Sequence, residues 1–269
     1  MYKLIALDMD GTLLNEEKKI TERTKAAIDA ARAKGVTVVL ATGRPIDGVM
    51  RYLEELDMFT ENDYVLSYNG ALVLKTKSRE VVSKVALQGS DLKYLFNLSK
   101  ELGVNIHGFS EERGLITPKE NKYTDIEATI NNIKYTLDDY SDISDDHSFI
   151  KIMMVDEPEL LDEAISKLPK EVYDKYTVVK SAPFFLEFLN KKVNKGTGVE
   201  LLASHLGVKQ DEIITMGDAG NDLHMIEYAG MGIAMGNATD DIKAIANYIT
   251  DSNSEDGVAK AIEKFVLNK

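Results

Sequence analysis

The chain opens on a short, unbroken apolar run, Leu4–Leu7, the pattern of a strand buried on both faces. A helix is predicted at Thr21–Lys34, where Ala26, Ala27, Ile28, Ala30 and Ala31 favour it and Gly35 stops it. Val36–Leu40 reads as a second strand. Pro45 fits the first turn of the next helix, expected to end near Leu56. Tyr64–Ser67 reads as a third strand, Asn69-Gly70 as a turn, and Ala71–Leu74 with Val81–Val85 as a hairpin. The tail returns to the same rhythm. Helices are predicted at Gly198–Leu206, Asp222–Ala229, Asp240–Ala246 and Val258–Val266, and strands at Ile213–Met216, Gly232–Ala234 and Tyr248–Thr250. This alternation implies a parallel sheet with helices on both faces.

The middle reads differently. Asp91–Leu102 has helical spacing, with Ser90 as the expected N-cap and Gly103 beyond its end. Strand-like stretches follow at Val104–Phe109, Gly114–Thr117, Phe149–Val155, Tyr176–Lys180 and Phe184–Leu189. Glu159–Leu168 is a predicted helix between Pro158 and Pro169. This α+β pattern predicts a second domain, 83–190, inserted into a core made of 1–82 and 191–269. The acidic run Asp138, Asp139, Asp142, Asp145 and Asp146 lacks the glycine and terminal glutamate of a calcium loop and reads as a solvated loop.

The 269 residues carry 32 Lys plus Arg against 45 Asp plus Glu, a formal charge of 32 − 45 = −13. A uniformly negative field argues against nucleic acid or an anionic membrane as partner. Any phosphate bound here must be held by local positive groups or a metal. The absence of Cys removes thiol catalysis, disulfides and Cys-ligated metals. No apolar run approaches the roughly 18–20 residues of a membrane span. The N-terminus turns acidic at Asp8, too early for a signal peptide, so the cytoplasm is the expected location.

The strongest chemical signal is Asp8-Met9-Asp10-Gly11-Thr12, directly after the first strand. Ligands of parallel sheets bind outside the carboxyl ends of the strands. Two acids there are either ordinary turn residues or a cation site, and oxygen ligands suit Mg²⁺. Three more segments belong to the same edge. Thr42-Gly43-Arg44 offers a hydroxyl and a close backbone N–H, although Thr42 also fits a helix N-cap. Lys195, at a helix start, is either an anion site or a solvated lysine. Gly217–Asp222 adds Asp218, Asn221 and Asp222, the last of which also fits a helix cap.

In order along the chain, these four segments resemble the motifs of the haloacid dehalogenase-like hydrolases, in their Cof-type (subclass IIB) sugar-phosphatase branch. The likeness extends to Lys180–Glu187 and Val193–Val199 and covers the whole chain. The resemblance implies an α/β Rossmann-like core with an inserted C2-type cap. It implies a phosphatase acting on small phosphorylated metabolites, sugar phosphates foremost, with Mg²⁺ as cofactor. Asp8 would be nucleophile and metal ligand. Asp10 would be general acid/base, with its backbone carbonyl on the metal, and Asp218 the third ligand. Met9 and Gly43 would donate backbone N–H groups to phosphate, joined by Thr42, Lys195 and Asn221. Asp222 would orient Lys195 or a metal-bound water, with Arg44 and Asn69 in support. Glu187 either meets substrate hydroxyls or faces outward from a strand.

The chemistry itself needs these types. A carboxylate attacking a phosphate dianion meets repulsion of about 4 kcal/mol per charge pair at 4 Å and an effective dielectric of 20. Positive charge must offset it. Two other outcomes remain open from the sequence: a phosphomutase on the same scaffold, and a phospho-Asp signalling module, which would need neither Asp10 as acid/base nor an inserted domain.

Overall fold

The computed structural model describes residues 1–268. The chain runs β1 (Leu4–Leu7), α1 (Glu22–Ala33), β2 (Thr37–Ala41), α2 (Met50–Glu55), β3 (Tyr64–Ser67), β4 (Leu72–Lys75) and β5 (Val81–Lys84). It continues through β6 (Leu87–Gln88), α3 (Gly89–Leu102), β7 (Asn105–Ser110), β8 (Gly114–Thr117), α4 (Lys122–Asn131), β9 (Tyr135–Leu137) and β10 (Ser148–Val155). Then come α5 (Pro158–Ser166), α6 (Lys170–Lys175), β11 (Tyr176–Ala182) and β12 (Phe185–Asn190). The last part holds α7 (Lys195–Leu206), β13 (Ile213–Gly217), α8 (Leu223–Tyr228), β14 (Met231–Ala234), α9 (Asp240–Ile245), β15 (Tyr248–Ile249) and α10 (Gly257–Ile262). Two compact units divide this chain: Met1–Lys84 with Asn194–Lys269, and Val85–Val193.

In the first unit the sheet order is β15-β14-β13-β1-β2-β3-β4-β5. Pairing is parallel from β15 to β3 and antiparallel through β4 and β5. All four residues of β1 are buried because helices cover both faces. Ile5 and Leu7 pack with Ile28 of α1 and Ala261 of α10, while Leu4 and Ala6 pack with Val199 and Leu202 of α7. Each such Leu or Ile contributes about 1.5–3 kcal/mol on burial. The chain fills one side of β1 with β2 and β3, then crosses to β13 on the other. The topological switch therefore falls between β1 and β13, where an open α/β sheet leaves a crevice at the strand ends.

The second unit carries its own sheet, β11-β12-β10-β7-β8-β9, with β6 added on β10. Phe149, Ile152, Met154, Leu186 and Phe188 pack there with Leu92, Leu95 and Leu161 of α3 and α5. Ser90 is not the cap of α3. The helix starts at Gly89 behind Gln88, whose N–H donates to Asp91 Oδ2 at 2.9 Å. Two stretches predicted as single helices are broken. Gly48 ends a 3-10 turn before α2, and Asp222 lies in a 3-10 turn before α8. Arg113 pairs with Asp138 and Asp142, and Lys93 with Asp145, on the surface of the acidic loop. No helix among the described residues is long and apolar enough to cross a membrane.

His107 is fully buried on β7, with Nδ1 2.9 Å from Thr124 Oγ1 and Nε2 3.2 Å from Met153 Sδ. Burial, helped by the charge of Lys151, pushes its imidazole down to about 3. The unfolded chain binds that proton near pH 6.5, and the folded chain only near pH 3. Stability is therefore complete above about pH 6.5 and falls as pH drops through this window. Between pH 7 and pH 5 the loss from this residue is about 2 kcal/mol. Urea unfolding at the two pH values is expected to show a drop in wild type that His107→Asn reduces by that amount.

Candidate active site

Four neighbouring strands, β13, β1, β2 and β3, end level with one another, since Leu7 is in register with Met216 and Leu40, and Ala41 with Leu66. Each hands the chain to a polar segment at that edge: Asp218 after β13, Asp8 after β1, Thr42 after β2 and Asn69 shortly after β3. Lys195 comes from the opposite direction, as the first residue of α7. That helix starts three residues earlier than predicted because Asn194 caps it, accepting from the Thr197 N–H at 2.8 Å.

Lys195 is fully buried, and its Nζ lies 2.5 Å from Asp8 Oδ1 and 2.6 Å from Asp222 Oδ1. The other Asp222 oxygen accepts the N–H groups of Asp218 at 2.9 Å and Ala219 at 3.1 Å. Both Asp222 oxygens are thus engaged, which makes it the holder of Lys195 and of its own loop. Asp218 is half-buried, accepts from Thr12 Oγ1 at 2.9 Å, and its carbonyl accepts from the Thr239 N–H at 3.0 Å. Gly11, at φ 97°, is required where the two acidic loops meet, because a Cβ there would lie 2.3 Å from Asp218 Oδ2.

Asp8, Asp218 and Asp222 each offer a carboxylate oxygen within 4.8 Å of the others. With all three carboxyls ionised, three negative charges against one ammonium leave −3 + 1 = −2, which one divalent cation would neutralise. Burial pushes Asp8 up to about 8 despite Lys195, with Asp222 and Asp218 adding to the rise. Asp218 is raised by the same cause, burial first, with Asp222 contributing. Burial works to lower Lys195, but Asp8 and Asp222 outweigh it and hold the ammonium charged. A hard cation on oxygen ligands would relieve these acids, so the donor set fits Mg²⁺.

Four carboxylates are expected at this edge from the sequence, and the structure clusters three. The Asp10 side chain turns to Arg44, whose Nε and Nη2 donate at 3.0 and 2.7 Å, and to Lys18 Nζ at 2.9 Å. Burial works to raise Asp10, but Lys18 and Arg44 outweigh it and the carboxyl is lowered. Thr42 is buried and is not a helix cap, since Pro45 precedes the next turn. Its Oγ1 accepts from the Arg44 N–H at 3.1 Å, and the hydroxyl proton remains available to donate. Among the described residues, no acceptor sits on the backbone N–H of Met9 or Gly43. Asn221 is exposed, with Nδ2 3.4 Å from Asn69 Oδ1.

Glu187 is not an outward-facing strand residue. It is buried in the second unit, 3.4 Å from Lys151 Nζ, and accepts from Ser181 Oγ at 2.7 Å, while Glu127 Oε1 takes the same Lys151 at 3.1 Å. Met153, Met154, Met216 and Met235 are fully buried core residues. Sequence reasoning missed Lys18, the Thr12 contact to Asp218, and Asn237, whose Nδ2 donates to the Gly11 carbonyl at 2.8 Å. Thr12 was visible within the first motif. Lys18 and Asn237 carry no local signal.

Residues 5–262 match the family model of the haloacid dehalogenase-like hydrolases, and the chain belongs to this family. Its Cof-type, subclass IIB branch fits the relatives. The chain is 47% identical over its whole length, and over the whole relative, to YxeH of Bacillus subtilis (strain 168), which is named provisionally as a phosphatase. A haloacid dehalogenase-like hydrolase from Bacteroides thetaiotaomicron superposes with a TM-score of 0.85 at 34% identity, over 98% of this chain and 99% of that one. A sugar phosphatase of subclass IIB superposes with a TM-score of 0.78 at 28% identity, over 98% of both chains.

Proposed function

We propose that this chain is a Mg²⁺-dependent phosphatase that hydrolyses small phosphorylated metabolites, sugar phosphates foremost, through an aspartyl-phosphate on Asp8. The observation that carries the reading is the fully buried Lys195 held between Asp8 and Asp222 beside Asp218 at the sheet's switch point. The likeness to a subclass IIB sugar phosphatase supports the substrate class. The stretches 180–187 and 193–199 support the finer likeness to the sugar phosphatase YidA.

Asp8 and Asp218 would hold Mg²⁺, together with the backbone carbonyl of Asp10. Bound there, the ion supplies positive charge for the phosphoryl oxygens. Lys195, Thr42, Asn221 and the N–H groups of Met9 and Gly43 bind and orient those oxygens. An Asp8 oxygen attacks phosphorus, the ester P–O bond breaks, and Asp10 gives its proton to the leaving alkoxide. Water then attacks phosphorus, the Asp8–phosphorus bond breaks, and Asp10 takes the proton back. Arg44 and Lys18 hold Asp10 in its base form, so its acid step requires a proton to replace them. The inserted segment, 83–190 by sequence and Val85–Val193 as a compact unit, is assigned the choice of leaving group.

The test is a panel of phosphorylated metabolites with Mg²⁺ and with EDTA. Release of inorganic phosphate is expected with the metal, and slower by about 10²–10³-fold without it. Equal release in metal-free protein would remove Asp8 and Asp218 as ligands. Phosphate appearing on a second sugar, instead of in solution, would make the chain a mutase.

Glu187→Ala probes the inserted unit. It removes a buried carboxylate 3.4 Å from the buried Lys151 Nζ, so urea unfolding is expected to show about 1–3 kcal/mol lost. In the folded fraction, kcat/KM should drop for a hydroxyl-rich sugar phosphate and hold for p-nitrophenyl phosphate. Equal drops on both substrates would confine Glu187 to folding.

A further inference from the structure

Tyr68, Asn69 and Gly70 have consecutive left-handed φ angles of 52°, 56° and 88°. Glycine adopts this region freely and asparagine tolerates it, but a tyrosine there carries strain. Strain of this kind persists where the surroundings over-determine it, and it collects at functional sites. Here it places one buried carboxamide. The Asn69 N–H donates to the Thr42 carbonyl at 2.8 Å, and the Tyr68 N–H to the Arg44 carbonyl at 3.3 Å. The turn therefore grips the segment after β2 on both sides of Gly43. The Asn69 side chain lies against Gly43 itself, since a Cβ added there would sit 3.2 Å from Nδ2 and 3.3 Å from Oδ1. Its Oδ1 faces Asn221 Nδ2 at 3.4 Å. Gly70 completes the set, because a Cβ there would meet the carbonyl oxygen of Asn194, the residue before Lys195, at 2.5 Å.

We infer that Asn69 is a positioning residue for the phosphate site. Its carboxamide fixes Gly43 and Asn221 relative to each other, and the left-handed turn is what lets a buried carboxamide reach both. This rests on the phosphatase reading above. The identity of the residue follows from the geometry. Glycine would keep the backbone and lose the amide. Aspartate would keep the shape and the tolerance of left-handed φ, but would place a negative charge beside the intended site of a dianion.

The test uses the full chain with Mg²⁺, p-nitrophenyl phosphate as substrate and inorganic phosphate as competitive inhibitor. Asn69→Gly is expected to unfold at the wild-type urea midpoint. Its kcat/KM should fall about 10–100-fold, and the phosphate Ki should rise about tenfold. Asn69→Asp should stay folded and lose more on both readouts, because its charge repels phosphate. Wild-type kcat/KM and Ki in folded Asn69→Gly would overturn the inference. If the glycine variant is destabilised, wild-type kinetics in folded Asn69→Asp would overturn it equally. A wild-type chain that releases no phosphate from any ester and binds none would instead defeat the phosphatase reading, and this inference with it.

Discussion

Replacing Asp8 by Asn is expected to lower kcat/KM for every phosphate ester by roughly 10⁴-fold or more, because the attacking oxygen is lost and not merely weakened. That factor corresponds to about 5.5 kcal/mol of transition-state stabilisation. The carboxamide is the same size, and Lys195 keeps Asp222 at 2.6 Å, so the fold should survive. The substitution also removes a carboxyl that burial, together with Asp222 and Asp218, makes costly to ionise. Thermal unfolding without metal should therefore show no large loss of stability. Steady-state assays beside that measurement separate a chemical defect from a structural one, and near-wild-type turnover would exclude Asp8 as nucleophile.

Lys195→Ala is expected to fail in both respects. The side chain is fully buried and is the ammonium partner of Asp8 and Asp222. Breaking a buried ionic cluster by removing one member typically costs about 3–5 kcal/mol. Activity should fall about 10³–10⁴-fold, since the phosphoryl oxygens lose a preorganised cation. The sign of the pH dependence is distinctive. Asp8, already raised by burial, is raised further once the ammonium that lowers it is gone. The folded state then binds more protons, and stability returns as pH falls. Urea midpoints of wild type and variant should therefore differ most at pH 8 and converge toward pH 5. A constant gap would mean that Lys195 acts through packing alone.

What could be read in advance follows the range of the interactions. The acidic segments at Asp8 and Asp218 were legible because strand, turn and acid are contiguous in the chain. The alternation around them placed both at one sheet edge. The division of labour among the acids was not legible. Asp222 is taken up by Lys195, 27 residues away, and by two backbone N–H groups of its own loop, while Asp10 is taken up by Arg44 and Lys18, 34 and 8 residues away. Helix α4 was invisible for another reason. Its residues Lys122–Asn131 include β-branched and polar types, and its buried face carries Tyr123, Thr124, Glu127 and Asn131. Such a face has no apolar stripe to detect. Burying Glu127 is possible because Lys151, on a strand far along the chain, is there to meet it at 3.1 Å. Likewise, Glu187 shares a face with Phe185 and Leu189, and only its partners reveal that this face is covered.

The proposed reaction turns on a phosphoryl group carried on Asp8, and one measurement reaches that group directly. Asp10→Asn would lack the base proposed to activate water and should accumulate the covalent intermediate, with breakdown slowed by about 10²–10⁴-fold. The variant is mixed with Mg²⁺ and p-nitrophenyl phosphate, quenched in acid within the first turnover, digested and mapped by mass spectrometry. A burst of p-nitrophenol and one added phosphoryl group on the peptide containing Asp8 are expected. A variant that releases p-nitrophenol without a phosphorylated peptide, or that carries the group on another residue, would contradict the proposed reaction.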